Sequence, residues 1–99
     1  MEKALIGRLF KRGRRKQTPF FTVYRLKTNP PPQIAVVVSL RVSKLATERN
    51  LIKRRLREAF RRLTPKLEPG LKIAVVVAPP AVRKSYKELE DALRSGLDL

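Results

Sequence analysis

Ninety-nine residues hold enough apolar side chains for one modest core, and the absence of cysteine excludes a disulfide framework and thiolate chemistry. Against 8 Asp and Glu stand 24 Lys and Arg, a formal charge of +16 that speaks to partners rather than to fold. The excess is uneven: residues 1–64 carry 18 basic and 3 acidic side chains, residues 65–99 carry 6 and 5, so a polyanion is expected to meet the first two thirds of the chain.

In chain order, "KALIGRLFKR" at 3–12 spaces Leu5, Ile6, Leu9 and Phe10 as one narrow helical stripe, and Gly13 is a natural stop. "RGRRKQTP" reads as a basic loop. "FFTVYRLK", 20–27, is rich in aromatic and β-branched residues and predicts a strand. In it Phe20, Thr22, Tyr24 and Leu26 share one face, and Phe21, Val23, Arg25 and Lys27 the other. Phe21 and Val23 suit a core, leaving Phe20, Thr22 and Tyr24 either to line a surface on which unpaired bases stack or simply to pack against helices. "TNPPPQ" is a turn, because three prolines supply no amides to a ladder. "IAVVVSL", 34–40, predicts a strand whose uniform hydrophobicity suits a central place in the sheet. The same "IAVVV" recurs at 73–77. Neither run is long enough to span a bilayer, and no signal peptide is expected.

The clearest element is the helix that begins at "TERNLIKRRLREAFRRL", 47–63. Thr47 is a good N-cap, and Glu48 suits the positive end of the dipole. Ile52, Leu56, Ala59, Phe60 and Leu63 form one buried stripe, and Pro65 ends the run. With Ile52 at zero, Arg49 falls near about 60°, Lys53 about 100°, Arg57 about 140°, Asn50 about 160°, Arg61 about 180° and Arg54 about 200°. One flank is therefore a strip of cation with a single amide, while Arg55 and Arg62 lie on the other. A merely solvated face normally mixes signs, as residues 84–95 do. A strip of Arg and Lys with one Asn suits phosphate and base-edge hydrogen bonds, with a steep salt dependence. After "EPG" come a strand at 73–78, a break at Pro79-Pro80, and a mixed-charge helix at 84–95 with Tyr86, Leu89, Ala92 and Leu93 on one face. Strands on either side of a helix imply a parallel crossover, right-handed by the general rule, in a mixed α and β domain.

With no histidine, no cysteine, no glycine-rich phosphate loop and only scattered carboxylates, the chain offers neither a general acid–base pair nor a metal cluster. Any catalysis it takes part in is expected to be performed by another molecule.

"ATERNLIKRRLREAF" resembles the signature of the bacterial ribonuclease P protein subunit family, roughly A-x-x-R-N-x-x-K-R-x-x-R-E-x-[FLY]. Ala46, Arg49, Asn50, Lys53, Arg54, Arg57, Glu58 and Phe60 match it. "LFKRG", "FFTVY", "VVS", and "LKIAVVVAPPA" followed by "SYKELEDAL" resemble further parts of the family in order. The resemblance implies an α+β two-layer sandwich of the ribosomal protein S5 domain 2-like kind, in the order helix, two or three strands, helix, strand, helix. Its crossover would be left-handed. It also implies that residues 1–99 form a single RNA-binding domain, an accessory subunit of an endoribonuclease whose catalytic RNA cleaves with Mg²⁺ held mainly by that RNA. The partners would be ribonuclease P RNA and precursor tRNA, in the cytoplasm, with no membrane and no obligate protein partner.

Carried over by position, Arg49, Asn50, Lys53, Arg54 and Arg57 would bind the catalytic RNA, and Arg61 extends their strip. Phe10, Phe21, Thr22, Tyr24, Ser39 and Arg41 would line the cleft for the single-stranded 5′ leader. The chain departs from the family pattern in a shorter segment before the first helix, in Ile6 where an aromatic is common, in Leu40-Arg41 where a basic pair is usual, and in a connector over 40–48 one residue longer. A small basic ribosomal or general RNA-binding protein shares its size and charge but gives no reason for the eight-position match.

Overall fold

Strand alternation and strand pairing decide which side chains face which layer. The computed structural model describes all 99 residues. In it α1 (Lys3–Arg12) leads into β1 (Arg14–Gln17), β2 (Phe21–Lys27) and β3 (Gln33–Val37). Then follow α2 (Ala46–Leu63), β4 (Leu71–Val77) and α3 (Tyr86–Gly96), with short 3-10 turns at Thr64–Lys66 and Pro79–Ala81. Four strands form one mixed sheet in the order β1-β2-β4-β3. β1 and β4 pair antiparallel with β2, and β3 runs parallel to β4 after the crossover through α2.

Register sorts the two faces. Phe21 pairs with Val77 and Val23 with Val75, while on the other side of β4 Ile34 pairs with Ile73 and Val36 with Val75. These residues form one apolar cluster with Ile52, Leu56, Ala59, Phe60 and Leu63 of α2 and Leu89, Ala92 and Leu93 of α3. The two helices and this sheet face are therefore the two layers of the core. Thr22, Tyr24 and Leu26 point the other way. There α1 lies across the sheet: its Leu9 is fully buried, and Phe10 meets the ring of Tyr24. A single ten-residue helix covers only part of that face and leaves the rest open.

Several boundaries differ from expectation for physical reasons. The basic stretch read as a loop contains β1, whose Arg-Arg-Lys-Gln has no apolar residue to announce it. A tight turn holds it to β2: the Thr18 hydroxyl donates to the Phe21 carbonyl at 2.8 Å and accepts from the Phe21 amide at 3.2 Å. β3 is an edge strand, not a central one. Its hydrophobicity reflects a core on one face and partial cover on the other, and Val37 remains 39% exposed. The central place belongs to β4, where the second "IAVVV" lies almost wholly buried. Residues 38–40 fall outside the strand.

α2 starts at Ala46, with Leu45 rather than Thr47 in the capping position. Ser43 does the local work instead, its hydroxyl accepting from the Leu45 amide at 3.1 Å and donating to the Glu48 carboxylate at 2.6 Å. α3 starts at Tyr86, capped by Ser85, which accepts from the Glu88 amide at 3.1 Å.

Candidate nucleic-acid interface

α2 splits its cations into two populations. On the flank toward α3, Arg55 donates to the Lys84 carbonyl at 2.6 Å, and Arg62 stacks over the Tyr86 ring, 5.2 Å from its centroid. These two fasten one helix to the other. On the opposite flank Asn50, Lys53, Arg54 and Arg57 make no hydrogen bond or ion pair with any protein group. Asn50, Arg54 and Arg57 are exposed, and Lys53 is half-buried beside the apolar stripe. The strip read from the helical wheel is thus brought together on one surface.

Two members of the predicted set are already engaged. Arg49, at the core edge, donates to the Ser43 carbonyl at 2.9 Å and braces the connector into α2. Arg61 is exposed but bound to Glu58, through Nη2 at 2.5 Å and Nε at 3.3 Å. That hydrogen bond, with the charges of Arg61 and Arg62, holds the Glu58 carboxyl below the usual carboxylate range, and the same bond with the Glu58 charge pushes the Arg61 guanidinium up. Glu48 is likewise occupied, by Ser43 and by Arg83 at 3.8 Å. No group of three or more acidic side chains is gathered for a metal ion.

A second surface lies on the open sheet face. Phe10 is 42% exposed, and its ring meets Tyr24 edge-on with centroids 5.0 Å apart and planes at 84°. Beside Tyr24 lies Thr22, next to Val76 on β4. Ser39 and Arg41 are exposed, past the end of β3, in a turn closed by the Val42 amide on the Ser39 carbonyl at 3.0 Å. Phe21 does not belong with them. It is 1% exposed and packs in the core under α2 and α3, so the alternation of β2 overrides the position carried over from the resemblance.

Sequence reading missed two residues of this surface. Arg15 pairs with Tyr24 and Gln17 with Thr22, which sets both on the open face and gives it a polar, cationic wall. Periodicity gave no signal for them, since β1 contains nothing apolar. Its partner face is tied down differently: Asp98 binds both Lys16 and Arg25, the latter at 2.6 Å, and these hydrogen bonds hold the Asp98 carboxyl below its ordinary range.

Comparison with known proteins matches this fold and these sequence features to one group. The family model described as Ribonuclease P matches residues 2–98. A ribonuclease P protein component from a Cyanothece species is 42% identical over 69 residues, covering 70% of this chain and 53% of that protein. One from Xylella fastidiosa is 42% identical over 86 residues, covering 87% of this chain and 63% of that protein. The chain thus spans about half the length of the first curated relatives it matches. The solved ribonuclease P protein from Thermotoga maritima is 26% identical and superposes with a TM-score of 0.80, covering 95% of this chain and 87% of that one. The family model takes in nearly the whole chain and the superposition all three helices and the sheet between them, so this chain belongs to the ribonuclease P family.

Proposed function

We propose that this protein is the protein subunit of a ribonuclease P ribonucleoprotein: it binds the catalytic RNA through the free flank of α2 and holds the 5′ leader of precursor tRNA on the open sheet face. The observation that carries this reading is the contrast within α2. Arg55 and Arg62 are used inside the protein, while Asn50, Lys53, Arg54 and Arg57 have no partner within it. Four such groups on one exposed flank, in a chain of +16, call for an external polyanion.

The division of labour follows from the residues. Guanidinium and ammonium groups neutralise phosphates and fix register without making or breaking bonds. Phe10 and Tyr24 offer ring faces and edges to unpaired bases, with Thr22 beside them and Arg15 opposite Tyr24 to meet the backbone. Ser39 and Arg41 extend that surface past the end of β3. Every acid of α2 is engaged and no acidic cluster exists, so Mg²⁺ for hydrolysis would be held by the RNA. No helix is long and apolar enough to cross a membrane, which accords with work on tRNA in the cytoplasm.

Reconstitution tests the reading. A bacterial ribonuclease P RNA at Mg²⁺ too low for it to act alone should regain 5′ processing of precursor tRNA when this protein is added, and the protein by itself should cut nothing. Failure to restore processing, or cleavage without RNA, would overturn it.

A further inference from the structure

The open sheet face continues past α1 into a separate depression. A cavity of about 590 Å³ lies between the first turns of α1, the connection from Thr28 to Gln33, and β4. Its floor is Lys72. Register places Lys72 beside Leu26 and Gln33, on the same face as Tyr24 but two positions before Ala74 on β4, about 7 Å away. α1 contributes to both sites, with Leu5 and Arg8 at the cavity and Phe10 at Tyr24.

Lys72 is 4% exposed, and its Nζ donates to the Pro31 carbonyl. No carboxylate is within ion-pair distance. Lysine is almost never this buried without a counter-charge, because an ammonium taken out of water loses hydration that only a paired charge makes up. One neutral carbonyl uses one of the three N–H donors and leaves the charge uncompensated. Arg8 lines the same cavity, exposed and bound to no protein group. Thr28, Asn29 and Gln33 add neutral donors to the wall, and no side chain caps the first turn of α1 at its edge. Glu2 is the one acid there, and it forms no hydrogen bond or ion pair with either cation.

We infer that this cavity is a phosphate-binding site, in which Lys72 and Arg8 grip the phosphate of a nucleotide or of a single RNA strand. A phosphate has oxygens enough to take an ammonium, a guanidinium and an amide together, and it supplies the missing negative charge. The volume falls within the usual range for small-molecule sites, about 300–1,000 Å³, so a nucleotide fits as well as a bare anion. The inference does not rest on α2 as an RNA dock, since the cavity belongs to the other side of the sheet.

Amide chemical shifts of the full-length protein test it site by site. Titration with inorganic phosphate should move the amides of Thr28, Asn29, Gln33 and Lys72 along one saturable curve. Lys72→Met should weaken that curve by about tenfold or more, the worth of a hydrogen bond to a charged group. Lys72→Arg keeps the charge and should stay within about threefold. Arg8→Ala, which leaves the Lys72–Pro31 contact intact, should weaken binding as well and carries the test if Lys72→Met fails to fold. Lys87→Ala on α3 should change nothing.

Adenosine monophosphate and a uridine hexanucleotide distinguish the sources. Progressively tighter binding identifies an RNA strand as the occupant, and equal binding identifies the phosphate group alone. Shifts that do not saturate, or the same affinity in Lys72→Met and Arg8→Ala as in the parent, would overturn the site and leave Lys72 as a strut under the proline turn.

Discussion

The helices α2 and α3 solve the same packing problem with opposite outer faces. Both press an apolar stripe into one sheet face: Ile52, Leu56, Ala59, Phe60 and Leu63 from α2, and Leu89, Ala92, Leu93 and Gly96 from α3. Outside, α3 mixes Lys87 and Arg94 with Glu88, Glu90 and Asp91, whereas α2 sets seven Arg and Lys against Glu48 and Glu58. Burial would have been satisfied by either surface. The charge of α2 is therefore not something the fold requires, and its self-repulsion is a cost that the proposed RNA partner would offset. α3 shows what a helix in this layer looks like when only folding shapes it.

The sharpest way to break that comparison is to reverse charges on each helix in turn. Arg54→Glu with Arg57→Glu should lower affinity for the catalytic RNA by about 10- to 100-fold per lost contact, with the log–log salt slope reduced by about 0.7–0.9 for each. The loss should not depend on leader sequence, because phosphate contacts carry none. Lys87→Glu with Arg94→Glu on α3 should leave affinity within about twofold, and at the exposed positions Arg54, Arg57 and Lys87 each substitution should change stability by no more than about 0.5 kcal/mol. Filter binding across a salt series reads all of this, and equal losses from the two helices would mean that net charge, not the α2 flank, governs binding.

What the sequence made legible follows the same division. α2 could be read almost to the residue because five apolar positions at helical spacing leave one solution, and the outward flank is then fixed by rotation. Its start was less visible, since Ser43 caps from outside the helix through Glu48 and the Leu45 amide, a contact that spacing alone does not announce. The apolar run of β3 points to the centre of the sheet although the strand lies at its edge, because hydrophobicity reports how apolar a strand is, not how many neighbours it has. β1 was invisible, being a polar strand recruited by the Thr18 turn and by pairing with β2. Phe21 was drawn into the cleft by its position in a motif, although strand alternation already pointed it inward. The cleft itself needs α1 laid across the far face of the sheet, a tertiary fact with no local signature beyond Leu9 and Phe10.

A smaller effect sharpens the packing half of the comparison. Gly96, the last residue of α3, lies so close to the sheet that a Cβ there would come within 2.8 Å of Val23 Cγ2 and 3.3 Å of Thr18 Cγ2. Both neighbours are buried and cannot swing away. Gly96→Ala should cost about 1–3 kcal/mol by overpacking, less up to about 1 kcal/mol returned by helix propensity. Urea denaturation measures the net loss. Repeating the substitution in a Val23→Ala background should reduce it, since the clash partner is then gone, and additivity of the two changes would show that close approach is not what the glycine serves.

The smallest effect appears only at high pH, where the two helices meet. Tyr86 of α3 is covered by the ring contact with Arg62 of α2 and donates its hydroxyl proton to Glu90 at 2.6 Å. Burial, then that hydrogen bond and the Glu90 charge, push the phenol up to about 12 from an ordinary 10.0. Below pH about 10 the phenol is protonated folded or unfolded, so its relative contribution to stability is fully present. Between about 10 and 12 the unfolded chain releases the proton while the folded one keeps it, so stability falls as pH rises through that window. Tyr86→Phe should remove this slope while leaving stability near pH 7 little changed apart from the lost hydrogen bond, about 1 kcal/mol. Denaturant midpoints of the two proteins at several pH values between 9 and about 12 check it. An identical slope in Tyr86→Phe would show that the phenol hydroxyl contributes nothing to the pH response of the α2–α3 seam, which would then hold through packing and the Arg55–Lys84 contact.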